Sequence, residues 1–405
     1  MPVRVHGSSV RTVLAAVTAR RAWPVARRLG VTRCAETTWL DRIGIPVHAA
    51  TRPDAAAVIV TAGKGGTADE SRAGALMEAV EQAVAERSAS AAAERGDLRW
   101  ATPRAVVAEG GPTLGSLCPV LGRELDVDHE IAWVRSEELN SGTEIPVPAE
   151  LAFLPCPDDL YAGFWGSTTT GLASGNDVDE AALHGLCEVL ERDALSFETL
   201  RPSSVLVKEE KLPPGPAEMA GRIRAAGLRV WLRWIPSPLG ACFSCLIADD
   251  DLASPLACNG GYGFHPVAVI AAVRALSEAA QSRLTFIQGA RDDLDETAAF
   301  ISSLSVGGRE RYRTELVSGF ARADETALFD DIPTSEPAAP RAMLDDLLAR
   351  CRSHGFERVG LYRYPPLARP FAVVRVSVPF AEHFTQATRR VGPRLAAAAG
   401  RVAAS

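Results

Sequence analysis

Residues 171–200 read GLASGNDVDEAALHGLCEVLERDALSFETL. A small, glycine-rich opening from Gly171 to Asn176 leads into the acids Asp177, Asp179 and Glu180, which favour a helix N-terminus. An unbroken helical pattern follows. Within it Glu188, Glu191 and Arg192 stand at i, i+3 and i+4 and share one face, and Glu180, two turns earlier, can point the same way. Two other stretches echo the arrangement, one with Glu78 and Glu81 and one with Glu278, Gln281 and Arg283. One acid pair at this spacing is ordinarily a solvated helix face. Three such helices, with their acids set among apolar neighbours, carry more weight, because burying like charges is costly unless a cation neutralises them. Oxygen ligands without histidine select Mg²⁺ over zinc, and Mg²⁺ shares its shell with water and phosphate oxygens. Arg192, Arg283 and Lys64 are then candidates to pair with those oxygens. The pattern predicts three helices brought together around a metal-nucleotide.

The totals narrow the class. The chain has 405 residues, 47% hydrophobic and 23% charged, in keeping with a soluble globular protein of two or three ordinary domains or one large mixed one. A formal charge of −7 argues against a nucleic-acid scaffold relying on overall basicity. The eight cysteines lie mostly in apolar runs, which suits buried, reduced thiols in a cytoplasmic protein. Cys242 and Cys245 form a lone CxxC, but ACFSCLIA reads as a strand and no second pair has matching ligand spacing. The apolar piece from Val13 to Ala19 is too short for a signal peptide and runs into Arg20-Arg21. Residues 252–273 lack charge, yet their glycines, prolines and His265 exclude a membrane span; they read as a buried strand and turn followed by a helix.

Along the chain, 9–29 reads as one or two short helices ended by Gly30, RIGIPVHAATRP as a strand, and Ala55–Thr61 as a second strand running into Gly63-Lys64-Gly65-Gly66. A helix begins at Ala68, with Leu76, Met77, Val80 and Val84 as its apolar stripe. Residues 85–115 read as a helix end and an exposed loop. Strands are expected at 131–134, at 144–154 (its prolines restricting it to an edge or loop), and at 205–207, 229–235 and 242–248, with a helix at about 215–226. The third acidic helix spans about Pro266 to Ala290. Residues 291–340 give no clear pattern; a helix at 341–353, strands at 357–364 and 371–378, and a disordered tail complete the reading. The expected division is a helical and strand segment at 1–60, a catalytic domain at 61–395 and a tail at 396–405. Strands and helices mix without regular βαβ alternation, so the fold class is α+β.

Rival motifs fail. GKGG at 63–66 lacks the P-loop spacing and has no Ser or Thr after the lysine. GLASGN lacks the GxSxG frame of a nucleophile elbow. His184, alone inside the central helix, reads as a packing residue rather than a base.

The blocks GKGGTADESRAGALMEAVE, GLASGNDVDEAALHGLCEVLERDAL, GGYGFHPVAVIAAVRALSEAAQSRLTFIQGARDD and RPFAVVRVSVP, with CAETTWLDRIGIPVHAATRP before them, resemble the ordered blocks of the YcaO family over residues 25–395. The resemblance implies an α+β fold of its own type that binds ATP and Mg²⁺ through acidic helices. It also implies phosphorylation of a peptide backbone amide oxygen, followed by attack of a side chain, sulfide equivalent or amine on the carbon. The products are azolines, thioamides or macroamidines in ribosomally made peptides. Carried over, the SxxxExxE motif falls on Gly74, Glu78 and Glu81, and the ExxER motif on Glu188, Glu191 and Arg192. Nucleotide contacts fall on Asn176 and Glu180, and the third helix matches with Glu278, Gln281 and Arg283; Arg291 has a weaker role. The expected site thus puts Mg²⁺ on Glu78, Glu81, Glu188 and Glu191 and nucleotide on Asn176, Glu180, Glu278 and Gln281, with Lys64, Arg192 and Arg283 binding its phosphates and Arg192 and Arg283 as the catalytic pair.

The chain departs from the family in carrying Gly74 where the motif has serine, and in ending GPRLAAAAGRVAAS without the proline-rich tail of azoline-forming members. These departures move the expectation towards thioamidation or amidine formation, with azoline formation as the alternative. With no fused leader-recognition domain expected, a precursor peptide delivered by a separate protein, or a TfuA-like partner, is expected, in a cytoplasmic homodimer without nucleic-acid or membrane partners. Two readings of another class are a nucleotide-binding regulator without turnover and a scaffold of a peptide-modifying complex.

Overall fold

The structure is a computed structural model that describes residues 4–124, 126–252, 254, 256–289 and 295–403. It divides into two units, residues 1–79 with 203–337 and residues 80–202 with 338–405. The division falls inside the helix Ala68–Glu94, so Glu78 belongs to the first unit and Glu81 to the second.

The first unit contains an antiparallel meander of Arg33–Glu36, Val47–Thr51 and Val60–Lys64. It also holds a five-stranded sheet in the order Cys258–His265, Ala241–Ala248, Arg229–Ile235, Val205–Val207 and Thr326–Ala327. All its pairs are antiparallel except the last. The third acidic helix, Ala268–Gln288, packs on this sheet through small residues. A Cβ at Gly261 would lie 2.2 Å from the Ala279 nitrogen, and one at Gly263 2.1 Å from the Ala271 carbonyl oxygen. Phe243, Ile247, Ala271, Ala275 and Leu276 form the core beneath, and Phe329 stacks on Phe243. Cys242 and Cys245 are buried in the strand Ala241–Ala248, and all eight cysteines are free thiols.

The second unit is built on an antiparallel six-stranded sheet in the order Leu98–Ala101, Ile131–Glu138, Gly360–Arg363, Ala372–Ser377 and Leu172–Gly175. Glu144–Pro148 is added to Ile131–Glu138 as a side branch, where its prolines cost no ladder hydrogen bond on the outer side. The central helix Val178–Leu200 lies against Leu172–Gly175 and Ala372–Ser377. Among the described residues no helix is long and apolar enough to cross a membrane.

Several sequence expectations are corrected. The second strand of the meander is Val60–Lys64 rather than Ala55–Thr61, because Val60 pairs with Thr51 and Lys64 with Val47, leaving 55–59 as the turn. Residues 9–11 form a strand before the helix Ala15–Arg28. The stretch 85–115 is more ordered than a loop. The helix continues to Glu94, Leu98–Ala101 joins the sheet, and Thr102 caps Pro103–Ala108. Its alanines pack but leave little trace in hydrophobic periodicity. Residues 149–152 turn helical, and 291–340 contains helices Asp295–Ser303 and Val306–Ala321. The tail forms the helix Pro393–Ala403. Its N-terminus is held by the fully buried Glu382, which accepts from the Gly392 and Leu395 N–H groups at 2.6 and 2.9 Å. Arg394 pairs with Asp193 at 2.5 Å.

Candidate nucleotide and metal site

In the first unit the GKGG stretch sits where a strand meets a helix. A Cβ at Gly63 would lie 2.1 Å from both the Ser71 carbonyl oxygen and the Ala75 nitrogen, so only glycine allows this approach. Gly74 faces the same point: a Cβ there would meet the Gly63 Cα at 3.2 Å. The glycine at the motif serine position therefore lies against the backbone of the strand that carries Lys64. Glu70 closes the turn, accepting from the Gly66 N–H and the Ser8 hydroxyl, each at 2.8 Å. Beside it His48 shares a hydrogen bond with Ser71 at 2.8 Å, and burial, the leading cause, lowers its pKa.

Lys64 is brought to the third acidic helix. Its Nζ lies 2.7 Å from Glu278 Oε2, with about a quarter of each side chain exposed (27% and 26%). Glu278 Oε1 accepts from the Tyr262 N–H at 3.3 Å. One turn on, Gln281 donates from Nε2 to the Ala62 carbonyl at 3.2 Å, while its Oε1 is buried with no hydrogen-bond partner among the described residues. Arg283 is differently placed. It is 5% exposed, pairs through Nε with Asp41 at 3.0 Å, and donates from Nη1 to the Leu256 carbonyl at 2.8 Å. Nη2 stands 3.9 Å from Asp249. Its fork is occupied by protein groups, and it reaches a phosphate only by exchanging Asp41 for it.

In the second unit the central helix begins with an interlocked cap. Asp177 accepts the Glu180 N–H at 2.9 Å. The buried Glu180 carboxylate reaches back to the Asn176 backbone N–H at 3.0 Å and its Nδ2 at 2.8 Å, a relative of the capping box. A Cβ at Gly175 would clash with Ala181, Asp177 and Glu180 atoms at 2.6 to 2.8 Å, which accounts for the glycine before this cap. Two turns on, Glu188 accepts the Gly171 N–H at 3.3 Å. Glu191, 8% exposed, lies 3.1 Å from Arg192 Nη1.

The structure thus groups Lys64, Glu278 and Gln281 in one unit, and in the other Glu180, Glu188, Glu191 and Arg192 along one helix with Asn176 just before its cap. Arg291 lies outside the described residues. Nothing in TWLDRIG announces its lone acid, Asp41, as the partner of Arg283. The alternating glycines of GGYG were the available signal for the close approach of strand and helix at Gly261 and Gly263. Within neither unit do three His, Cys, Asp or Glu side chains among the described residues form a ready metal cluster. The acids present are nevertheless all oxygen donors, and the orphaned Gln281 Oε1 wants a cation or a donor. Both fit a hard ion whose shell is completed by phosphate and water.

Comparison with known proteins agrees with this chemistry. Residues 62–382 match the family described as YcaO cyclodehydratase, ATP- and Mg²⁺-binding. A protein of Methanothermobacter thermautotrophicus is 36% identical over 381 residues, covering 91% of this chain and 94% of that one. A protein of the tfuA 3′ region of Rhizobium leguminosarum bv. trifolii is 33% identical over 391 residues, 91% of this chain and 88% of that one. The solved structure of YcaO from Methanopyrus kandleri bound with AMPPCP and Mg²⁺ superposes with a TM-score of 0.76 at 25% identity, covering 97% of this chain and 98% of that one. The chain belongs to the YcaO family, whose ligands are ATP and Mg²⁺.

Proposed function

We propose that this YcaO protein is an enzyme that activates a backbone amide of a ribosomally made precursor peptide by O-phosphorylation, for thioamidation or amidine formation. The observation that carries the nucleotide site is the Lys64–Glu278 pair with Gln281 one turn along the same helix, its amide oxygen buried and without a donor among the described residues. In this reading Glu78, Glu81, Glu188 and Glu191 hold Mg²⁺, and Asn176 and Glu180 orient the nucleotide. Lys64 and Arg192 neutralise phosphate charge, joined by Arg283 if Asp41 releases it. When bound, ATP·Mg²⁺ supplies the phosphoryl group that converts a poorly leaving amide oxygen into phosphate. The chain's part is positioning and charge stabilisation, which dominate phosphoryl transfer. The helix Val178–Leu200 fixes its acids through the Asp177–Glu180–Asn176 cap and the Gly171–Glu188 hydrogen bond, so they need little reorganisation. After transfer, the incoming nucleophile bonds to the amide carbon, and the original oxygen leaves with the phosphoryl group.

The relative of the tfuA 3′ region supports a TfuA-like sulfur-handling partner, and with it thioamide formation. Mass spectrometry of a candidate precursor peptide after incubation with ATP, with and without such a partner, separates the products. Exchange of oxygen for sulfur marks thioamidation, and loss of one water without sulfur gain marks dehydrative cyclisation. A folded Glu188→Ala variant should lose ATP turnover; unchanged phosphate release would defeat the assignment. Peptide-independent nucleotide binding without turnover would favour a regulator.

A further inference from the structure

Arg375 sits on the strand Ala372–Ser377, only 2% exposed. Its Nη1 donates to the carbonyls of Thr168 and Thr170, each at 2.9 Å. Its Nε and Nη2 are buried and meet no hydrogen-bond partner among the described residues. The nearby Tyr364 hydroxyl donates to the Ala152 carbonyl and turns its lone pairs towards Arg375, but it is a neutral acceptor and supplies no negative charge. The other charged groups with which Arg375 interacts include the buried Arg390, engaged with the Cys118 and Leu117 carbonyls. His383 is a further neighbour: its Nδ1 is also buried without a partner, and burial, then Arg390, Arg192 and Arg375, keep it uncharged.

A buried guanidinium with two idle donors is expensive, since each lost hydrogen bond to a charged group and the unpaired charge add to the desolvation cost. The two carbonyls that it does reach are both taken by Nη1 and carry no full negative charge. The missing partner is an anionic oxygen able to accept from Nε and Nη2 together, the geometry that makes arginine a bidentate phosphate ligand. Arg375 is also tied to the acidic helix by a short route. The loop it grips continues from Thr170 into Gly171, whose N–H is held by Glu188.

We propose that Arg375 forms an anion subsite of the second unit that takes a phosphate oxygen through Nε and Nη2. That the phosphate belongs to the phosphoryl-transfer reaction rests on the function proposed above; the anion site itself does not. The oxygen belongs either to the terminal phosphoryl group of the nucleotide or to the phosphate after transfer.

Thermal melting of the full chain in inorganic phosphate, against chloride at equal ionic strength, tests the site without nucleotide. Phosphate should raise the melting temperature of the wild type but leave Arg375→Met and Arg375→Lys unmoved; the lysine keeps the charge and loses the fork. Calorimetry with Mg·AMPPCP and Mg·ADP then identifies the source. A loss of about 10- to 100-fold in AMPPCP affinity with ADP affinity retained places the terminal phosphoryl group there. Unchanged affinity for both nucleotides, with lost phosphate binding to the Mg·ADP complex, places the transferred phosphate there. A wild type insensitive to phosphate overturns the proposal, as do variants that respond to phosphate as the wild type does. Equal weakening of AMPPCP and ADP with a lower melting temperature also overturns it, since that marks Arg375 as a brace for the Thr168–Gly171 loop. A wild type that binds no Mg·AMPPCP while phosphate still discriminates Arg375 would refute the nucleotide reading and leave the anion site standing. Should neither variant fold, the wild-type response to phosphate decides.

Discussion

Replacing Gly63 by alanine tests the contact that positions the Lys64, Glu278 and Gln281 group of the first unit. The new Cβ would stand 2.1 Å from the Ser71 carbonyl oxygen and the Ala75 nitrogen, and 2.7 Å from the Gly74 carbonyl carbon. All three are backbone atoms of one helix, so no side chain can rotate away. The helix must retreat from the strand by roughly 1 Å, or the strand must bend, and overpacking of this kind costs about 3 kcal/mol, the upper part of the usual range. At a urea slope near 3 kcal/mol per molar, the unfolding midpoint should fall by about 1 M. Lys64 and Ala62, the neighbours of Gly63, hold Glu278 and Gln281, so Mg·AMPPCP affinity should fall as well. Gly66→Ala is the internal control, because its nearest foreign atom, Glu70 Oε2, is 3.7 Å from the new Cβ. Urea titration of both variants, followed by nucleotide calorimetry on the folded proteins, is the assay. A Gly63→Ala midpoint equal to that of Gly66→Ala would refute the close approach.

Other consequences can be measured separately. A double-mutant cycle of Lys64→Met and Glu278→Gln should give a coupling of about 1 kcal/mol, modest because a quarter of each side chain remains in water; no coupling would mean the two do not pair. Glu382→Ala strands the Gly392 and Leu395 N–H groups in a buried setting and should cost about 2–4 kcal/mol. Hydrogen exchange should then accelerate across 393–403, and unchanged protection there would show that Glu382 does not hold that helix. Burial, then Arg274 and Arg11, holds the His265 imidazole well below its usual pKa, and its Nδ1 accepts the Val267 N–H at 3.0 Å. The unfolded chain therefore takes up the proton first. This contribution is complete above the unfolded value of about 6.5 and is lost as pH falls below it, by up to about 1.4 kcal/mol per unit. His265→Asn, which keeps an acceptor, should flatten the stability profile from about pH 6.5 down to 5. An unchanged slope would exclude His265 as its source.

The sequence by itself determined the local grammar. Spacing at 3.6 residues per turn puts Glu188, Glu191 and Arg192 on one face whatever the helix packs against, and the Asp177–Glu180 spacing makes a helix start there. The apolar strands at 205–207, 229–235 and 242–248 were legible for the same reason: their signal is carried by consecutive residues. Block order identified the family over most of the chain. What only the tertiary structure decided concerns partners distant in sequence. Arg283 is read from its spacing without a protein partner, and only the fold brings Asp41, more than two hundred residues away, into its fork. The C-terminal alanines read as a frayed tail until Glu382 is found at their N-terminus. Arg375 is one more charge in a strand until its burial leaves two donors idle. A side chain's type and local spacing are written in the chain, but the solvent it loses and the charge it meets depend on segments folded beside it.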